Sequence, residues 1–149
     1  MLRSEALEVS SKLEELCEKF SPRLAMSVTI LNDPEPTYLA RCIMMWEEAS
    51  EELYVLFKVY VNDLALPTGV TTTDIAVHEF RHSLQACRGQ DRFKSLRLHF
   101  LRLLRVGISF STVGIFWDSL FEANELERDA HFVERLVHAG LPVEKVLNL

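Results

Sequence analysis

The chain has 149 residues, 48% of them hydrophobic and 26% charged, with a net charge of −6. That length suits one domain, residues 1–149, with a substantial core, and that apolar content excludes a mostly disordered protein. No run approaches the ~18 uninterrupted apolar residues of a membrane span, and Met1-Leu2-Arg3 leads into charged residues rather than a secretory leader. A cytoplasmic protein without a membrane partner is therefore expected, and the acidic balance gives no global nucleic-acid signal.

Ala6, Val9, Leu13, Leu16, Cys17 and Phe20 recur at helical spacing with glutamates between them, which predicts an amphipathic helix over the first twenty residues. Strands follow. Met26, Val28 and Ile30 alternate with Ser27 and Thr29, and Tyr38 to Trp46 and Leu53 to Asn62 are β-rich runs joined by the acidic turn Glu47-Glu48-Ala49-Ser50-Glu51-Glu52. An antiparallel hairpin is expected there, its outer strand offering backbone groups to an extended peptide. Thr71, Thr72, Thr73 and Asp74 then supply cap chemistry, and Gly89 supplies a stop, so a helix of about four turns runs from near Asp74 to Arg88.

Seven of the sixteen Lys and Arg residues (Arg81, Arg88, Arg92, Lys94, Arg97, Arg102 and Arg105) crowd into positions 81–105. Such a stripe is either a solvated face, with Phe93, Leu96, Phe100, Leu101 and Leu104 turned to the core, or a nucleic-acid surface. Further on, Phe121, Leu126, Ala130, Val133 and Val137 predict a helix to Ala139, ended by Gly140 and Pro142. His99 and His138 stand singly and read as structural. Cys17, Cys42 and Cys87 lack any CxxC spacing, so reduced thiols are expected.

The chemistry concentrates in His78-Glu79-Phe80-Arg81-His82, an HExxH pattern. On a helix, His78 and His82 lie about 40° apart and Glu79 about 100° from His78, so two imidazoles and a carboxylate reach one metal and its water. A catalytic zinc needs a third protein ligand. Asn124-Glu125-Leu126-Glu127-Arg128-Asp129-Ala130-His131 is the densest downstream source. Glu125 and Asp129 form an i,i+4 pair, whereas Glu127 and His131 point roughly 200° and 240° away from Glu125. Phasing thus favours Glu125 as the ligand and Asp129 as the acceptor of a ligating histidine's second N–H.

His78-Glu79-Phe80-Arg81-His82-Ser83-Leu84-Gln85 together with Asn124-Glu125-x-x-x-Asp129 resembles the gluzincin zinc metallopeptidases, the minigluzincins in particular. The resemblance covers about fifteen residues. It implies zinc bound by His78, His82 and Glu125, Glu79 as general base and acid, and Asp129 behind a histidine. It also implies a zincin-like α+β fold: a small mixed or antiparallel sheet packed on the metal-binding helix, followed by a helical half. Glu125 follows His82 by 43 positions, and no counterpart is assigned for the Tyr or His with which larger relatives stabilise the oxyanion. The expected function is a zinc-dependent endopeptidase acting on an unstructured peptide or protein, with latency conferred by a terminus as one form of it. The alternative is a catalytically silent zinc-binding regulatory protein using segment 81–105 to bind nucleic acid.

Overall fold

The computed structural model describes residues 1–20, 25–33, 38–47, 52–85 and 123–148, and of residues 25, 44–47, 52, 53 and 123–125 it describes the backbone alone. The first helix, α1 (Arg3–Phe20), buries Ala6, Val9 and Leu13, which recur at three and four residues, and leaves most of its glutamates in solvent. Glu5 closes its start by accepting the Leu2 N–H at 2.8 Å, and the same carboxylate accepts the Leu66 N–H at 3.2 Å. One side chain thus caps α1 and pins the connection that follows the sheet.

Strands β1 (Ala25–Asn32), β2 (Ala40–Glu47) and β3 (Glu52–Val61) form a mixed sheet in the order β1-β3-β2. β2 and β3 are the expected hairpin, antiparallel from Glu47↔Glu52 to Ala40↔Val59, and β1 lies parallel to β3 on its other side. The period of two fixes which face is covered. Val55, Phe57, Val59 and Val61 are buried, and Met26, Val28 and Ile30 of β1 stand beside them in register, packed against the core. Tyr54, Leu56, Lys58 and Tyr60 on the opposite face are only half-buried.

A second helix, α2, occupies 72–85, and after it come α3 (Ala123–His138) and α4 (Val143–Leu147). The architecture is α+β, with four helices among the described residues. Ile75, Ala76, Val77 and Phe80 of α2 join the core with Val133 of α3 and Val146 and Leu147 of α4, and the rings of Phe20 and Phe80 lie 5.8 Å apart. No helix among the described residues is long and apolar enough to cross a membrane. The expected basic helix, including Arg88 to Arg105, His99 and Cys87, lies outside the described residues.

Both ends of the α2–α3 pair are set by local chemistry legible in the sequence. At the start of α2, the Asp74 N–H donates to the Thr71 hydroxyl at 3.1 Å and the Thr71 N–H donates to the Asp74 carboxylate at 2.9 Å, a reciprocal capping box. Lys12 Nζ donates to the hydroxyls of Thr72 and Thr73, tying α1 to the same turn. At the end of α3, Gly140 adopts φ 97°, its N–H reaches the Val137 carbonyl and the Leu141 N–H reaches that of Leu136. That pairing is a Schellman motif, and the left-handed conformation is why glycine stands there.

His138 Nδ1 lies 2.9 Å from the Asp74 carboxylate, so this histidine is structural, as expected. Burial acts to raise the Asp74 carboxyl, but the Thr71 N–H, His138 and the Thr71 hydroxyl outweigh it and hold the group below its ordinary range. A depressed folded pKa means stability that is present above the unfolded value and is lost as pH falls through the folded one. Asp74→Ala should therefore cost about 1–2 kcal/mol in urea unfolding at neutral pH, the scale of a lost cap. The gap between variant and wild type should close as pH falls below the ordinary carboxylate range. A gap that stays constant into strong acid would contradict this account of the cap.

Candidate metal centre

The partners of α2 and α3 run in opposite order. Asp74 meets His138, His78 meets Glu134, and Gln85 meets the Leu126 carbonyl at 2.9 Å, so the helices are antiparallel. The motif thereby faces the second turn of α3. His78 and His82 are half-buried, with ring centroids 5.0 Å apart and planes at 78°. Their Nε2 atoms converge on one carboxylate: Glu127 Oε2 is 3.3 Å from His78 Nε2, and Glu127 Oε1 is 3.0 Å from His82 Nε2. The ligand atoms of His78, His82 and Glu127 all lie within 4.8 Å of one another.

The other ring nitrogens are committed elsewhere. His78 Nδ1 lies 2.9 Å from Glu134 Oε2, and His82 Nδ1 lies 2.8 Å from Gln85 Oε1. With an oxygen acceptor at Nδ1, each ring can keep its proton there and offer the Nε2 lone pair to an ion shared with Glu127, the way outer-sphere groups support histidine ligands. Two imidazole nitrogens and a carboxylate oxygen make the donor set of a catalytic zinc. The side chains present fit that ion.

The expected ligand Glu125 has its backbone in α3, but its side chain lies outside the described residues. Among the described residues the carboxylate that meets both motif histidines is Glu127, on the face that phasing from Glu125 and Asp129 turns away. The physical reason lies in the buried stripe of α3. Ala130 and Val133 are fully buried, and on the helix Glu127 and Glu134 fall on one flank of that stripe while Asp129 falls on the other. α2 lies across the stripe and meets both flanks.

Asp129, expected to hold a histidine directly, takes a different part. Its carboxylate accepts from Arg81 Nε at 2.6 Å and Nη2 at 3.0 Å, and from Gln85 Nε2 at 2.7 Å. Gln85 in turn holds His82, so Asp129 steadies that histidine through the amide. Arg81 is correspondingly no part of a solvated basic face. It is 2% exposed and also donates to the Leu147 carbonyl at 3.1 Å, clamping α2 to α3 and to the end of α4. Asp129→Ala should cost about 2–3 kcal/mol in thermal or urea unfolding. That is below the 3–5 kcal/mol of a fully buried broken pair, because the Asp129 side chain is 37% exposed. Loss of zinc without loss of stability would show that Asp129 acts on the centre and not on the clamp.

Glu79 sits beside the imidazoles, 8% exposed. Burial pushes its carboxyl up, an effect only partly offset by the charges of His78 and His82 and by the N–H of Cys42. That backbone bond matters for geometry, since Cys42 belongs to β2, an edge of the sheet among the described strands. The motif carboxylate therefore lies against the sheet edge. For His78, burial pulls the ring down, but the bond to Glu134 and the charges of Glu79, Glu127 and Glu134 leave it raised. Glu134 is held below the usual carboxylate range, first by the bond from His78.

Glu134, Gln85 and the burial of Arg81 are the parts that sequence reasoning missed, and Glu127 is the carboxylate that phasing set aside. A signal existed: Glu127-x-x-x-His131 repeats on α3 the i,i+4 spacing of His78 and His82 on α2. No protein-family model, no curated protein and no solved structure matches the chain.

Proposed function

We propose that the protein is a zinc-dependent metallopeptidase of zincin-like build, with zinc held by His78, His82 and Glu127. The observation that carries this reading is the convergence of two Nε2 atoms on Glu127 while both Nδ1 atoms are tied off, with Glu79 buried beside the pair. A zinc ion bound there supplies Lewis acidity, polarising a carbonyl and lowering the pKa of water. Glu79 moves the proton. It takes one from the attacking water and returns it to the leaving amine, and a carboxyl whose pKa burial raises suits a group that must do both.

The sheet edge supports one substrate class. The Cys42 N–H that reaches Glu79 belongs to β2, so an extended peptide pairing with that strand would run past the carboxylate, as in β-augmentation. An unfolded polypeptide meets this requirement, whereas a folded domain does not. The resemblance to the gluzincins points the same way. The test is cleavage of an unfolded protein by the zinc-loaded chain, its loss on chelation and its return on adding zinc. Cleavage that survives complete zinc removal would refute the assignment.

A further inference from the structure

Three imidazoles in this centre share one arrangement. His78 and His82 present Nδ1 to an oxygen acceptor and Nε2 to Glu127. His131 does likewise: its Nδ1 lies 3.2 Å from Glu134 Oε2, the oxygen that also takes His78, and its Nε2 lies 3.8 Å from Glu127 Oε2. The His131 ring stands edge-on to that of His78, with centroids 4.5 Å apart. Four residues separate Glu127 from His131 on α3, as four separate His78 from His82 on α2. Residues at this spacing share a helix face and reach one ion together. Two such pairs confront each other across antiparallel helices.

We propose that His131 is a fourth, displaceable protein ligand of the same ion, so that the resting centre is closed and opens when this ring swings away. The inference rests on the metal reading given under Proposed function. Ligand atoms of a tetrahedral zinc stand about 3.3 Å apart, a separation that His131 Nε2 approaches but does not reach in its 3.8 Å distance from Glu127. His131 is outside the tight cluster formed by His78, His82 and Glu127. Its side chain is 54% exposed, against 13% for His78 and 17% for His82, so its ring has the rotational freedom to join the ion or leave it. The fourth position is the one a catalytic zinc keeps for water. His131 in that place makes the enzyme latent without any terminus entering the cleft.

A separate ion held by His78, His131 and Glu134 is the other arrangement these atoms allow. It is disfavoured because a neutral imidazole has one lone pair. With Nε2 of His78 on the first ion, its Nδ1 carries the proton given to Glu134.

The test is zinc-edge X-ray absorption on the zinc-loaded wild type and His131→Ala, with zinc content measured on both. Wild type should show three imidazoles on the ion. His131→Ala should show two while keeping its zinc, and its cleavage of an unfolded protein should rise about tenfold, the gain from freeing a competent state populated near one part in ten. Two imidazoles in the wild type, two zinc ions per chain, or loss of zinc from His131→Ala would overturn the proposal. His82→Ala separates this failure from that of the underlying reading. If His82→Ala keeps stoichiometric zinc, the centre itself is misassigned. If it loses zinc while the wild type shows two imidazoles, only the role of His131 falls.

Discussion

Glu79→Gln should lower cleavage of an unfolded protein by about 100- to 10,000-fold, the contribution of a positioned general acid–base group, and should leave zinc content unchanged. The side chain is buried beside both histidines and takes the Cys42 N–H. Glutamine has the same shape, and its amide oxygen can accept that N–H, so the strand contact survives while proton transfer is lost. Replacing a buried carboxyl with a neutral amide also removes a desolvation cost, so the fold should not weaken. Steady-state kinetics, zinc analysis and a thermal melt on one preparation check all three statements. Retained cleavage with retained zinc would remove Glu79 from the chemistry.

Glu127→Ala should reduce zinc affinity by more than about 100-fold, beyond the 10–100-fold typical of outer-sphere partners, because it removes a ligand. Glu134→Ala, which frees His78 Nδ1 and His131 Nδ1 but removes no carboxylate that meets both motif histidines, should stay within that outer-sphere range. The Glu127 side chain is 55% exposed, so its loss leaves no void and the folded state should persist. Competition titration against a chelator of known affinity measures both variants. Glu125→Ala is the decisive control, since it alters the carboxylate favoured by phasing alone. If Glu125→Ala strips the metal and Glu127→Ala does not, the gluzincin-like ligand pattern stands and the convergence on Glu127 reflects ion pairing without metal.

Where the sequence carried local rules, it predicted the structure well. Thr71 and Asp74 cap α2 by reciprocal bonds, Gly140 ends α3 in the left-handed conformation, and the alternation of Met26, Val28 and Ile30 turns those residues to the core. The hairpin of β2 and β3 followed from two β-rich runs and one acidic turn, whereas the parallel placement of β1 beside β3 was not specified by any local signal. The helix that carries the motif was legible because both motif histidines lie on one element. The carboxylate that meets them was not, because phasing ranks the faces of α3 but does not say how α2 crosses them. Glu127 and Asp129 flank the same buried stripe, and both meet α2, one at the histidines and one at Arg81. In the sequence Arg81 reads as a surface charge for a related reason. Its burial depends on a carboxylate 48 residues away, a contact that sequence spacing does not reveal.

The most direct measurement is anomalous diffraction at the zinc edge from crystals of the zinc-loaded protein. The account predicts one strong peak between α2 and α3, within about 2.0–2.2 Å of His78 Nε2, His82 Nε2 and a Glu127 carboxylate oxygen. No peak at the motif, or a peak there ligated by Glu125 in place of Glu127, would contradict it.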